Sequence, residues 1–263
     1  MNEPNKFLVY GRAKSGTTAL AHGIAQGLSN SLLLFEPQGR RRDEEPRGRF
    51  IVTKELLGQT WRQRIQEYHD YDRKVLLVRD PRDRLVSEFL WRLADGNKKG
   101  NGGIGFEEAI ALIQAKEIEK NSISFADLCR STGMPLGSIK ERFLRECLGE
   151  LDKSWFIMKY EQMVDGNLQP LADYLGFMPI RDPDINKPFA RRTARTKSHG
   201  DWRKWFTEAD VASFSLLANP VLVELGYDAN DWLLSEQGPD SEFGSEYLSR
   251  IYIQKNDRHK RGE

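Results

Sequence analysis

Short β-type runs at 7–10, 32–35, 50–53, 74–78 and 155–159 punctuate the chain and give five strand candidates. Between them the apolar period changes. Leu20, Ile24 and Leu28 recur at i, i+4 and i+8, the stripe of a helix packed on a sheet, and Phe106, Ile110 and Ile113 repeat it. Thr207-Glu208-Ala209-Asp210 reads as a capping-box start ahead of Val211, Phe214 and Leu217, with Gly226 as the stop. Alternating β and α signals without an internal repeat predict an α/β fold, a parallel β-sheet flanked by helices.

Two segments depart from this order. Gly96 to Gly105 is glycine-rich and polar, hence a loop that is expensive to order. The segment 234–263 is polar, then briefly apolar at Tyr247-Leu248 and Ile251-Tyr252-Ile253, then basic, which predicts a docked peripheral segment with a frayed end. At 263 residues the chain is long enough for one layered domain over 1–263, with its core at about 7–233.

Charge narrows the classes of partner. Forty Lys and Arg against 39 Asp and Glu leave a net charge of +1, which excludes a global polyanion binder and implies no nucleic acid. Cys129 and Cys147 are too few and too far apart for a disulfide scaffold or a zinc site and read as reduced and packed. The amino-terminal residues lack an apolar signal region and no run approaches a membrane span, so a cytoplasmic location without a membrane partner is the expectation. None of His22, His69, His199 and His259 forms a metal-type pair or a triad, and no metal is called for.

The chemistry concentrates where the first run feeds into Gly11-Arg12-Ala13-Lys14-Ser15-Gly16-Thr17-Thr18-Ala19-Leu20: strand, phosphate loop and helix start. Small residues let backbone amides converge on an anion, and the following helix aims its unpaired amides at the same point. The loop is close to G-x-x-x-x-G-K-[ST], but its lysine precedes the second glycine and Thr17 stands in the usual lysine place. A lysine placed there reaches just beyond a 5′-phosphate, which suits a nucleotide lacking a triphosphate tail.

The Arg-x-Lys-Ser-Gly-Thr-Thr form resembles the 5′-phosphosulfate loop of sulfotransferases that use 3′-phosphoadenosine 5′-phosphosulfate (PAPS). A second stretch, Val75-Leu76-Leu77-Val78-Arg79-Asp80-Pro81-Arg82-Asp83-Arg84-Leu85-Val86-Ser87, is similar to the family's strand, R-D-P-x-x-R turn and helix. A third, Arg195-Thr196-Lys197-Ser198-His199-Gly200-Asp201-Trp202-Arg203-Lys204, matches its R-K-G-x-x-G-D-W-K loop in part: Thr196 and Lys197 replace its lysine and first glycine. The resemblance implies a P-loop NTPase-like three-layer sandwich that uses PAPS as co-substrate and leaves PAP. It implies cofactor contacts at Arg12, Lys14, Ser15, Gly16, Thr17, Thr18, Arg79, Ser87, Arg195 and Lys197, with Arg79 and Ser87 on the 3′-phosphate. In the third stretch the residue covering that phosphate stays open. Trp202 and Trp205 are candidates to stack on a base or to anchor the loop.

The implied reaction moves a sulfuryl group onto an acceptor hydroxyl or amine, and it needs a base. Ligands in open α/β sheets lie outside the carboxyl ends of the strands, where the sequence places Glu36-Pro37 and Lys54-Glu55. By resemblance to carbohydrate sulfotransferases Glu36 is the base and Lys54 lies near the transferring group; Glu55 and His199 are rival bases. Catalytic candidates are therefore Glu36, Lys14 and Lys54. Arg40-Arg41-Arg42, with Arg47 and Arg49, is either a solvated loop or a grip on an anionic acceptor. The acceptor class is a carbohydrate or a hydroxylated small molecule. The alternatives are a P-loop kinase or NTPase, which would require G-K-[ST] and a magnesium carboxylate, and a noncatalytic nucleotide-binding module.

Overall fold

In the computed structural model, which describes residues 6–36, 50–95, 104–134, 142–185 and 197–261, β1 (Lys6–Gly11) is the middle strand of a sheet. Its partners are β2 (Ser31–Phe35), β3 (Phe50–Leu56), β4 (Arg73–Val78) and β5 (Trp155–Lys159), in the order β2-β3-β1-β4-β5. Every pairing is parallel. The five sequence-predicted strands are all present. One limit moves with consequence: β3 runs on through Leu56, so Lys54 and Glu55 lie inside the strand instead of beyond it. Successive strand residues face opposite sides, and the two side chains are thereby separated by the sheet.

Val9 stands opposite Lys54 and Val75, which puts Phe7, Val9, Val52, Val75, Leu77 and Met158 on one face. That face is covered by α1 (Thr17–Gln26) through Leu20 and Ile24, and by α8 (Gln169–Leu175) through Leu171 and Leu175. The other face carries Tyr10, Thr53 and Glu55. There two tyrosines follow α2 (Trp61–Glu67): Tyr68 donates to Glu55 Oε1 at 2.8 Å, and Tyr71 shares a 2.6 Å hydrogen bond with Thr53 Oγ1. Helix α6 (Arg142–Glu150) packs on α2, with Arg62 Nε 3.0 Å from Glu150 Oε1. The short α7 (Tyr160–Val164) follows β5 directly. Helices on both faces of a parallel sheet make the predicted three layers.

These elements form one compact unit, Met1–Arg79 with Arg142–Thr193; Asp80–Glu141 with Ala194–Glu263 forms another. The second unit has no strand among its described residues; its α-helices are α3 (Pro81–Asp95), α4 (Phe106–Ile118), α5 (Phe125–Ser131), α9 (Trp202–Trp205), α10 (Glu208–Glu224) and α11 (Ser245–Arg261). Pro81 opens α3 at the position where its missing N–H is harmless. The core joins Leu85 and Phe89 to Phe125, Trp202, Trp205, Phe206 and Phe214. Tyr247, Leu248 and Ile251 of α11 are buried in the same core, so the apolar part of the carboxyl-terminal segment docks there. The capping box at Thr207 is real, and Asp210 extends it. Its carboxylate accepts from Thr207 N and Thr207 Oγ1 and from the amides of Phe125 and Ala126, all within 2.9 Å. One buried side chain thus caps two helices.

Two lysines are sealed in this unit as well. Lys116 Nζ donates to the carbonyls of Lys120 and Ile123 at 2.8 and 2.6 Å, and Lys120 Nζ donates to those of Arg203 and Ser235. Cys129 and Cys147 are free and buried, as the sequence indicated.

Candidate functional site

After β1 the chain makes a tight turn, with Ser15 N donating to Arg12 O at 3.2 Å, and α1 begins at Thr17. Lys14 and Gly16 adopt left-handed conformations, with φ of 70° and 88°. Left-handed residues alternating with right-handed ones turn successive amides toward one point, the geometry of an anion nest. Gly16 is also the residue before the helix and has no side chain with which to cap it, which leaves the first-turn amides to a ligand. Only glycine fits: a Cβ there would lie 2.7 Å from Tyr160 Cδ2. Ser15 and Thr17 are buried beneath the loop; Arg12, Lys14 and Thr18 are half-buried.

Arg79, just past β4, donates through Nη1 to Lys14 O at 3.1 Å, and its guanidinium lies 4.3 Å from the Tyr160 ring centre. From β1 the chain proceeds to β2 on one side of the sheet and from β4 to β5 on the other. The gap between β1 and β4 is therefore the point where strand order reverses, the usual ligand position in open parallel sheets. Arg12, Lys14, Ser15, Gly16, Thr17, Thr18 and Arg79 are brought together at this point.

Glu36 and Lys54 belong to the same carboxyl edge. Glu36 follows β2 with φ 44°, its N–H donates to Lys54 O at 2.8 Å, and its carboxylate is ion-paired with Lys54 Nζ. The lysine side chain is 6% exposed and the glutamate 42%, so the base candidate is the member of the pair that solvent or an acceptor reaches. Glu55 is buried on the opposite face under Tyr68.

In the helical unit, Ser87 is half-buried on α3, and Lys197, Ser198 and His199 are exposed ahead of α9. Trp202 and Trp205 are each 1% exposed; they anchor the core and offer no face to a nucleotide base. Arg82 lies between Trp202 and Trp232, 4.1 and 4.9 Å from the ring centres, and is held by Asp80 at 2.7 Å. The sequence motif contained a further residue that pattern reading did not single out. Asp83 accepts from the amides of Gly200 at 2.5 Å and Trp202 at 3.0 Å, joining two stretches 117 and 119 residues apart. Arg195, the Arg40-Arg41-Arg42 run with Arg47 and Arg49, Pro37, and residues 96–103 lie outside the described residues.

Burial pushes the His22 imidazole on α1 down, with Asp184 opposing. Burial also pushes the Cys147 thiol up to about 12, helped by Glu150, and raises Cys129 further from reactivity. Glu88 on α3 is held below the usual carboxylate range: burial pushes it up, but Arg84 and Arg92 together outweigh that. Among the described residues no cluster of His, Cys, Asp or Glu could hold a metal ion, and no helix is long and apolar enough to cross a membrane.

No protein-family model matches the chain, and no curated protein matches it significantly. Solved structures do. A mouse sulfotransferase complexed with PAP aligns with a TM-score of 0.50 at 15% identity, over 87% of this chain and 89% of its own. Retinol dehydratase in complex with androsterone and the inactive cofactor PAP gives the same score and identity over 87% and 83%. At that identity the likeness speaks for architecture, and it agrees with the parallel sheet flanked by helices. The chain carries a sulfotransferase-fold domain.

Proposed function

We propose that the protein is a PAPS-dependent sulfotransferase acting on a hydroxyl or amine of a small-molecule or carbohydrate acceptor. The observation that carries this is the loop after β1: two left-handed residues and an uncapped helix start form an anion nest with Lys14 in it and Arg79 bound to its backbone. The PAP bound by both fold relatives supports the choice of nucleotide, and the androsterone bound by one supports a small hydroxylated acceptor.

In this reading the amides of Gly16, Thr17 and Thr18 hold the 5′-phosphosulfate, with Arg12 and Ser15 beside them. Lys14 neutralises charge on the transferring group and on the phosphate oxygen that leaves. Arg79 takes the 3′-phosphate. The acceptor oxygen or nitrogen forms a bond to sulfur as the bond from sulfur to the phosphate oxygen breaks. Its proton passes to Glu36, and PAP departs. Glu36 is favoured over Glu55 because Glu55 is buried on the other face of β3 and accepts from Tyr68. Lys54 holds Glu36 at the strand ends and supplies positive charge beside it.

Calorimetry with PAP and ATP, followed by transfer of labelled sulfate from PAPS to a panel of hydroxyl acceptors, tests the proposal. Binding of PAP in preference to ATP, with transfer, is the expected outcome. Preference for ATP would favour a kinase or NTPase, and PAP binding without transfer to any acceptor would favour a noncatalytic module.

A further inference from the structure

Helix α10 carries two apolar faces. One, with Phe214, Ala218 and Leu222, is buried in the core of the helical unit. The other runs through Ala209, Ala212, Leu216, Pro220 and Val223, whose spacing of three, four, four and three residues sets all five on one side of the helix. Each of them is exposed, Leu216 by 82% and Val223 by 66%. Ala209, Leu216 and Val223 recur every seven residues, the repeat of a seam between two packed helices. A helix that is apolar all round is ordinarily covered all round, yet this one leaves a stripe about 20 Å long bare. The stripe also offers one polar atom. Pro220 has no N–H, so the Leu216 carbonyl lacks the donor that a helix supplies four residues on.

The charge around the stripe has a single sign. From Trp205 to Ser249 the chain has nine Asp and Glu and no Lys, Arg or His, a net −9 within a protein whose total is +1. Asp210 is spent inside the core, and Asp231 and Asp240 are ion-paired with Arg203 and Lys204. Glu208 and Glu224 stand exposed at the two ends of α10, and the exposed Asp228 follows. Acidic ends repel a nucleic acid and an anionic lipid surface. They also oppose a second copy of the same helix, since parallel and antiparallel pairing alike bring Glu208 and Glu224 against like charges. A helix with apolar residues at i, i+3, i+4 and i+7 and with Lys or Arg on its flanks complements both the stripe and its ends.

We propose that the outer face of α10 docks a cationic amphipathic helix of another protein. The partner's apolar side chains pack along Ala212, Leu216 and Val223, its basic side chains reach Glu208 and Glu224, and one of them can donate to the Leu216 carbonyl. This surface lies wholly within the helical unit and is independent of the transfer reaction.

Fluorescence anisotropy of the full chain with a labelled peptide of about 18 residues, leucine at the helical spacing and lysine elsewhere, tests the proposal. Saturable binding by the wild type is expected. Leu216→Gln combined with Val223→Gln removes the apolar anchors without changing charge and should raise the dissociation constant at least about tenfold. Glu208→Gln combined with Glu224→Gln should raise it at least about threefold and weaken its dependence on salt. All four side chains are exposed, so both variants should unfold at the wild-type urea midpoint; should the first fail to fold, Leu216→Gln alone takes its place. Absence of saturable binding by the wild type, equal affinity in the Leu216→Gln variants, or equal binding of a peptide with glutamate in place of lysine would each overturn the proposal. Two further outcomes would reassign the face. Sedimentation of the wild type as a dimer that Leu216→Gln with Val223→Gln makes monomeric would give it to a second copy, and binding to phosphatidylglycerol vesicles lost in the same variant would give it to a lipid surface.

Discussion

Lys116 makes the stability of the protein depend on pH in an unusual direction. Its ammonium is fully buried near the end of α4, and burial, aided by the neighbouring Lys120 and opposed by Asp210, pulls it down from an ordinary 10.5 to about 8. Between those values the unfolded chain keeps a proton that the folded chain has released, so unfolding becomes harder as pH rises. The full depression corresponds to about 3 kcal/mol, and the part relieved between pH 7.5 and 9.5 is about 2 kcal/mol. Other buried groups oppose it: the raised thiol of Cys147 and the raised phenols of Tyr10 and Tyr68 withdraw stability as pH climbs past their ordinary values. A difference experiment separates them. Lys116→Met keeps the length of the side chain, leaves the carbonyls of Lys120 and Ile123 without this donor, and abolishes the titration. Urea unfolding of both proteins at pH 7.5, 8.5 and 9.5, followed by tryptophan fluorescence, should show the wild type gaining about 2 kcal/mol on the variant across the series. A gap that does not change with pH would refute the reasoning.

Other perturbations address the nest and the base. Gly16→Ala forces a side chain into both a left-handed conformation and the Tyr160 ring, and should cost about 2–5 kcal/mol in urea unfolding while abolishing PAP binding; a loss under 1 kcal/mol would contradict the geometry. Glu36→Gln should lower kcat by about 100-fold or more with PAP affinity retained, and unchanged turnover would remove Glu36 from the base role. Lys14→Ala should reduce both PAPS affinity and turnover by at least about tenfold, read from kcat/KM and calorimetry. Cys129 and Cys147, buried and pushed up in pKa, should react with a thiol reagent at pH 8 only as fast as the chain unfolds.

The sheet was legible because strands covered on both faces must be apolar, and each run from Phe7 to Met158 announces itself without help from its neighbours. The loop after β1 was legible for a similar reason: its glycines and hydroxyl residues serve local backbone geometry. What escaped the sequence depends on partners far away in the chain. Nothing near Asp83 points to Gly200, and Lys116 carries the look of a solvated helix residue although two carbonyls further on enclose it. Lys54 and Glu55 were placed beyond their strand because a charged pair is a poor strand signal. The sheet accommodates them by giving each a partner on its own side, the exposed Glu36 for one and the buried Tyr68 for the other.

β5 enters the sheet only after the chain has passed through α3, α4, α5 and α6, and it occupies the free side of β4. During synthesis β4 emerges with one side paired to β1 and the other bare. At about 5–20 residues per second, the stretch from Val78 to Trp155 takes roughly 4–15 s to appear. Throughout that interval Val75, Leu76 and Leu77 form an open apolar edge, the kind of surface that recruits other strands. The nascent protein is thus most vulnerable to misassociation before residue 159 is made, and a holding chaperone would find its target there.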